Sequence, residues 1–106
     1  MTNQNVLPLD VAKEESANWR AIANEKFGEG YIKAFNIPLV DLTQILAEGA
    51  TSVRAYLAAS EDGEKKLLLV GVDAQGNDMI DYENGQYVFD FTTPCPPTCA
   101  PNSPLN

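Results

Sequence analysis

Cys95 and Cys99 are the only cysteines of the chain, set in a C-P-P-T-C run within a proline-rich C-terminus. Four chemistries suit two thiols at that spacing. A local disulfide forms if the prolines fold the loop until the Cα atoms approach to about 4.4–6.8 Å. So small a ring contributes about 2 kcal/mol by loop-closure arithmetic, and a reducing compartment makes it labile. A redox role is the second chemistry, although the spacing is one residue longer than C-x-x-C and no helix N-terminus follows to lower a thiol pKa. Metal binding is the third. Tetrahedral zinc takes four ligands, and a chain without histidine supplies two thiolates, so a second chain or carboxylates would have to complete the set. The fourth is two plain thiols in a tail that packs across the domain.

Carboxylates are the other chemistry-bearing groups. Asp73, Asp78 and Asp81 flank the turn Ala74-Gln75-Gly76-Asn77. Their spacing is not that of a twelve-residue EF-hand loop, and no bidentate Glu closes it; turn-capping is the ordinary role of such aspartates. Lys65 and Lys66 are the last basic residues, and Asp73, Asp78, Asp81, Glu83 and Asp90 follow them. An acidic C-terminal part suits a basic partner surface or a loosely held divalent cation, and it also serves solubility. The net charge of −8 opposes nucleic acid, whose phosphates draw on clustered Lys and Arg, and anionic membrane surfaces equally.

Catalysis is hard to assemble. Without histidine a general base would be a carboxylate of raised pKa. Ser16, Ser52, Ser60 and Ser103 have no recognisable base partner or nucleophile elbow. Short loops offer little concavity. The expectation is a non-enzyme with no cofactor.

The elements that would position these groups centre on residues 51–73. Asp62 and Gly63 between two apolar runs signal a hairpin with a two-residue type I′ turn. That turn pairs Ala59 with Lys66, Leu57 with Leu68, Ala55 with Val70 and Val53 with Val72. One face then collects Val53, Ala55, Leu57, Leu68, Val70 and Val72, and a slip of one residue would exchange the faces. Such a turn also opposes Glu61 to Glu64, and a four-residue loop is its alternative.

Before the hairpin, residues 1–8 read as a loose leader. Asp10 is a candidate N-cap, with Ala12, Ser16, Trp19, Ile22, Ala23 and Phe27 on one helical stripe. Gly28 and Gly30 end that helix, and Trp19 reads as a core anchor. Residues 31–37 are extended up to Pro38. Leu39, Leu42, Ile45 and Leu46 mark a second helix ended by Gly49. After the hairpin, Asn84 and Gly85 predict a second one, pairing Tyr82 with Tyr87, Asp81 with Val88 and Ile80 with Phe89. The fold class is α+β: an antiparallel meander of about four to five strands packed on one face by two helices.

At 106 residues the chain makes one domain, assigned to 1–91. Residues 92–106 hold five of the seven prolines and read as an irregular tail that cannot extend a ladder and favours polyproline II. No apolar run approaches a membrane span, and the N-terminus lacks a basic start and apolar run, so the expected location is cytoplasmic.

Three segments taken together, residues 52–57, residues 69–73 and residues 90–99 with a terminal Ser103-Pro104-Leu105, resemble a group of small bacterial proteins with a C-terminal CPxxC-type Pro/Cys tail. The likeness covers the later part of the chain. It implies a bacterial source and a cysteine tail that is a regular part of the design, and it carries no activity, cofactor or partner.

The expected function is therefore a protein-binding or adaptor module. It would present its acidic face (Asp73, Asp78, Asp81, Glu83, Asp90) or its tail with Pro96 and Pro97 to another protein. The alternatives are a thiol redox or metal-handling protein using Cys95 and Cys99, and an acidic inhibitor or immunity-type protein that blocks a basic enzyme. An unprotected sheet edge could also pair two chains as a homodimer.

Overall fold

The computed structural model describes residues 5–106, so the first half of the expected leader lies outside the described residues. Two helices and five strands run in the order α1 (Leu9–Phe27), β1 (Ala34–Asn36), α2 (Leu39–Ala47), β2 (Ser52–Ala59), β3 (Lys65–Val72), β4 (Asp78–Met79) and β5 (Thr93–Cys95). The α+β class is as expected. The single meander is not, because the strands form two sheets, β1 with β5 and β2-β3-β4.

The described residues fall into two compact units, one running up to Ala34 and joined by Cys95–Asn106, the other Phe35–Pro94.

In the first unit, α1 begins after Pro8, which takes the N-cap position expected of Asp10; Asp10 lies in the first turn instead. A proline fits there because the first helical donors have no intrahelical acceptor to lose. Gly28, at φ 76°, ends the helix and donates to the Asn24 carbonyl, a left-handed position that glycine occupies at little cost. Of the expected stripe only Ala23 is fully buried. Trp19 is 42% exposed rather than a core anchor, and its indole N–H donates to the Ile32 carbonyl at 2.8 Å.

The C-terminal segment folds with α1. Arg20 donates to the Leu105 carbonyl at 2.8 Å, and the Asn106 side chain donates to the Ala100 carbonyl at 2.9 Å. This corrects the irregular, ladder-free tail. Residues Thr93–Cys95 are a strand, and Lys33 N–H donates to the Cys95 carbonyl at 2.7 Å. A two-stranded sheet tolerates Pro94 because an edge proline need not donate to a neighbour.

The second unit is built on β3. Its register with β2 is Ala59↔Lys65, Leu57↔Leu67, Ala55↔Leu69 and Val53↔Gly71 on one face, and Ala58↔Lys66, Tyr56↔Leu68, Arg54↔Val70 and Ser52↔Val72 on the other. The expected pairing is thus off by one residue. The turn is the cause. Only Gly63 has positive φ there, whereas a type I′ turn needs it at Asp62 as well. The loop holds three residues, closed by Gly63 N–H to the Ser60 carbonyl and Ser60 N–H to the Glu64 carbonyl. A turn ending in a left-handed glycine is the usual three-residue solution, and it removes the opposition of Glu61 to Glu64.

Helix α2 lays Asp41 and Ile45 inward. It packs on the β3 face that carries Gly71, where an added Cβ would lie 2.9 Å from the Ala50 Cβ and 3.2 Å from Ile45 Cγ2. Glycine is required there by the close approach of the neighbouring chain. Asn84 and Gly85 do not make a two-residue hairpin either. A short 3-10 turn over Tyr82–Asn84 sits inside a four-residue loop closed by mutual Asp81 and Gln86 main-chain bonds. Phe89, expected opposite Ile80, instead bridges to Leu69. The rings of Tyr82, Tyr87 and Phe89 still meet edge to face, with centroids 5.1 and 6.3 Å apart.

Candidate functional site

The two cysteines form a disulfide with Cα atoms 4.8 Å apart, within the range that the bond requires. Of the four chemistries read at this spacing, the structure contains the local ring. Cys95 is buried, at 4% exposure. Pro96 and Pro97 form the turn inside the ring, Pro96 half-buried and Pro97 exposed, and Cys99 N–H donates to the Pro97 carbonyl.

The acidic residues scatter over separate local tasks. Asp73 accepts from the N–H groups of Gln75 and Asn77 at 2.9 Å each. Those bonds, the Asn77 one first, hold its carboxyl below the usual carboxylate range; this is an Asx-type turn cap. Asp81 accepts from the Asn84 side chain at 2.7 Å. Asp90 pairs with Lys66 at 3.0 Å. Asp78 accepts from the Tyr56 hydroxyl and from Arg54, and these bonds push its carboxyl below its ordinary value. The same bond to Asp78 is the leading cause that raises the Tyr56 hydroxyl above its ordinary value. Glu83 is exposed on the 3-10 turn. Among the described residues no group of three or more His, Cys, Asp or Glu could hold a metal ion, and no helix is long and apolar enough to cross a membrane.

Two features emerge that the spacing of charges did not single out. The first is the outer edge of β2. Antiparallel residues direct their main-chain groups alternately to one neighbour and the other. Leu69 spends both of its groups on Phe89, at 2.8 and 2.9 Å, so its partner Ala55 must direct its own groups away from β3. The same alternation aims the N–H and C=O of Val53, Leu57 and Ala59 outward. Among the described residues no strand lies on that side. The side chains are apolar and open, with Leu57 84% exposed. Nothing on the edge matches the usual guards, which are lysine, proline or a bulge. The one charge, Arg54, reaches across to Asp78 and the Gly76 carbonyl.

The second feature is a cavity of about 400 Å³ beside the C-terminal end of α2, lined by Gln44, Glu48, Asn84, Gln86, Tyr87 and Phe89 among others. Glu48 accepts from Tyr87 N–H through Oε2 at 3.2 Å, while its Oε1 is buried without a partner. A local signal marked this residue. A glutamate immediately before Gly49 places an anion at the negative end of a helix, where lysine or arginine is favoured.

Comparison of the chain with known proteins finds no matching family model, no matching curated protein and no matching solved structure.

Proposed function

We propose that this chain is a non-enzymatic protein-binding module that takes up an extended segment of its partner as an added strand along β2. The observation that carries this reading is the open β2 edge, with outward main-chain groups at Val53, Ala55, Leu57 and Ala59 and no guard. Strand addition draws its affinity from main-chain bonds and its selectivity from alternate side chains, here the rows of Val53, Ala55 and Leu57 and of Arg54 and Tyr56. The loop that ends the strand carries Glu61, Asp62 and Glu64, which favours a partner with basic residues flanking its apolar segment.

The test uses proline as an edge guard. Leu57 N–H has no acceptor within the sheet, so Leu57→Pro blocks an incoming strand and leaves the β2–β3 bonds in place. Partners retained by the wild-type chain and by Leu57→Ala should be lost on Leu57→Pro. In the complex, the amides of Val53, Ala55, Leu57 and Ala59 should gain protection from hydrogen exchange. Retention that ignores Leu57→Pro sinks the reading.

The acidic-inhibitor reading draws less support, since Asp73, Asp78, Asp81 and Asp90 each already have bonds within the chain. The redox reading rests on the Cys95–Cys99 ring, whose buried Cys95 leaves Cys99 as the more accessible sulfur.

A further inference from the structure

We infer that the cavity beside α2 is a recognition site for an alkylguanidinium or alkylammonium group, with Glu48 as its anionic partner. The site is separate from the β2 edge and does not depend on strand addition. Three observations converge on a cation.

The first is the state of the carboxylate. One oxygen of Glu48 is satisfied by Tyr87 N–H, whereas Oε1 is withdrawn from solvent with no donor beside it. A buried acceptor without a donor is costly, and the negative end of α2 adds to that cost. A ligand that brings an N–H⁺ relieves both. The ion pairs among the described residues are Arg54–Asp78 and Lys66–Asp90, so neither supplies Glu48 with a counter-charge.

The second is the lining. Tyr87 and Phe89 contribute rings, and Gln44, Asn84 and Gln86 contribute amides. Aromatic faces attract guanidinium and ammonium groups through the ring quadrupole, and amide oxygens accept the remaining N–H bonds of a guanidinium fork. An anion finds only a carboxylate and neutral groups there, and a purely apolar ligand would leave Oε1 unpaired.

The third is the surrounding charge. The lining holds no lysine or arginine, and Glu48 is its one charged residue. A pocket whose single charge is negative favours cations over anions. A volume of about 400 Å³ falls within the usual range for small-ligand pockets and admits the end of an arginine or lysine side chain. The group could arrive on a basic protein segment or as a free small amine; the chemistry of recognition is shared.

The experiment is an amide-resolved NMR titration of the full chain with four probes: butylguanidinium, butylammonium, a capped arginyl tripeptide, and its citrulline counterpart as a neutral isostere. The cations should shift the amides of Gly85, Gln86 and Tyr87 saturably, and the citrulline peptide should not. In Glu48→Gln the amide oxygen still accepts from Tyr87 N–H, so the fold is kept, and cation affinity should fall about tenfold or more. An arginyl peptide that binds more tightly than butylguanidinium identifies a protein side chain as the source, and equal affinities identify a free amine. Equal shifts with the citrulline peptide, or no shift at those amides with any cation, overturn the assignment. So does unchanged cation affinity in Glu48→Gln. Should Glu48→Gln fail to fold, the arginine–citrulline comparison on the wild-type chain decides alone.

Discussion

The two long sides of the β2–β3 pair are built to opposite ends. On the far side of β3, successive outward groups are taken up in turn. Gly71 pairs with Met79, Leu69 exchanges bonds with Phe89, and the Thr92 hydroxyl both accepts from Leu67 N–H and donates to the Leu67 carbonyl at 3.0 Å. The closing segment is itself held from α2, where Asp41, 1% exposed, accepts from Phe91 N–H at 3.3 Å. Along β2 the same alternation produces outward groups at Val53, Ala55, Leu57 and Ala59, and among the described residues no strand meets them. An edge is therefore not left open because this fold lacks ways to close one. Where the chain closes an edge it uses irregular backbone and side chains freely, down to a threonine hydroxyl that stands in for a strand. The open side leaves main-chain groups of the kind that strand addition uses.

The sharpest way to break this comparison is a pair of prolines at neighbouring positions. Tyr56 N–H faces β3 and Leu57 N–H faces outward. Tyr56→Pro should cost about 3 kcal/mol or more, or abolish cooperative unfolding, since it removes a ladder bond from within the sheet. Leu57→Pro should cost less than about 1 kcal/mol. Urea denaturation of both variants checks the pair, and equal losses would mean that the outward assignment of Leu57 is wrong.

Loss of the Asp41 carboxylate should come next. Asp41→Ala leaves Phe91 N–H without its buried acceptor and should destabilise by about 2–3 kcal/mol. Hydrogen exchange should quicken at Leu69 and Phe89 before it changes on β2. A smaller effect, about 1–2 kcal/mol, is expected from Thr92→Val, which keeps the volume and removes the hydroxyl that serves Leu67. The change should be seen in the denaturation midpoint with an unchanged slope.

The smallest effect concerns the polar clasp that ties Arg54 and Tyr56 to Asp78 across the sheet. The folded-state pKa of Asp78 lies below its ordinary value, so its contribution is present above the unfolded pKa and is lost as pH falls through the folded one. The stability difference between wild type and Asp78→Asn should therefore be constant near neutrality and shrink as pH drops below about 4. A difference that grows on acidification would reverse the sign of this argument.

Local chemistry made much of the fold legible. Pro38, the spacing of Leu39, Leu42 and Ile45, and Gly49 marked α2 closely. Gly63, Gly76 and Gly85 marked the turns, and all three have positive φ. The hairpin register was not legible. A left-handed glycine serves both two- and three-residue loops, and β3 is apolar on both faces, so either register yields a plausible core face. The second hairpin failed for a related reason: Asn84 and Gly85 do form a turn, but a 3-10 segment precedes them and shifts the pairing to Asp81 with Gln86.

The same boundary runs through the candidate sites. From the sequence alone came the class of fold, the positions of its turns, a disulfide-compatible cysteine spacing and the acidic bias after Lys66. Each of these depends on residues within a few positions of one another, where propensity and turn geometry act. The tertiary structure alone decided that Asp78 and Asp90 are consumed by ion pairs, which edge of the sheet stays open, and that Glu48 keeps one oxygen unpaired beside a cavity. Those outcomes rest on contacts between segments far apart in the chain, such as Asp41 with Phe91 and Glu48 with Tyr87. No local pattern encodes them, because packing sets them only once the chain has closed on itself.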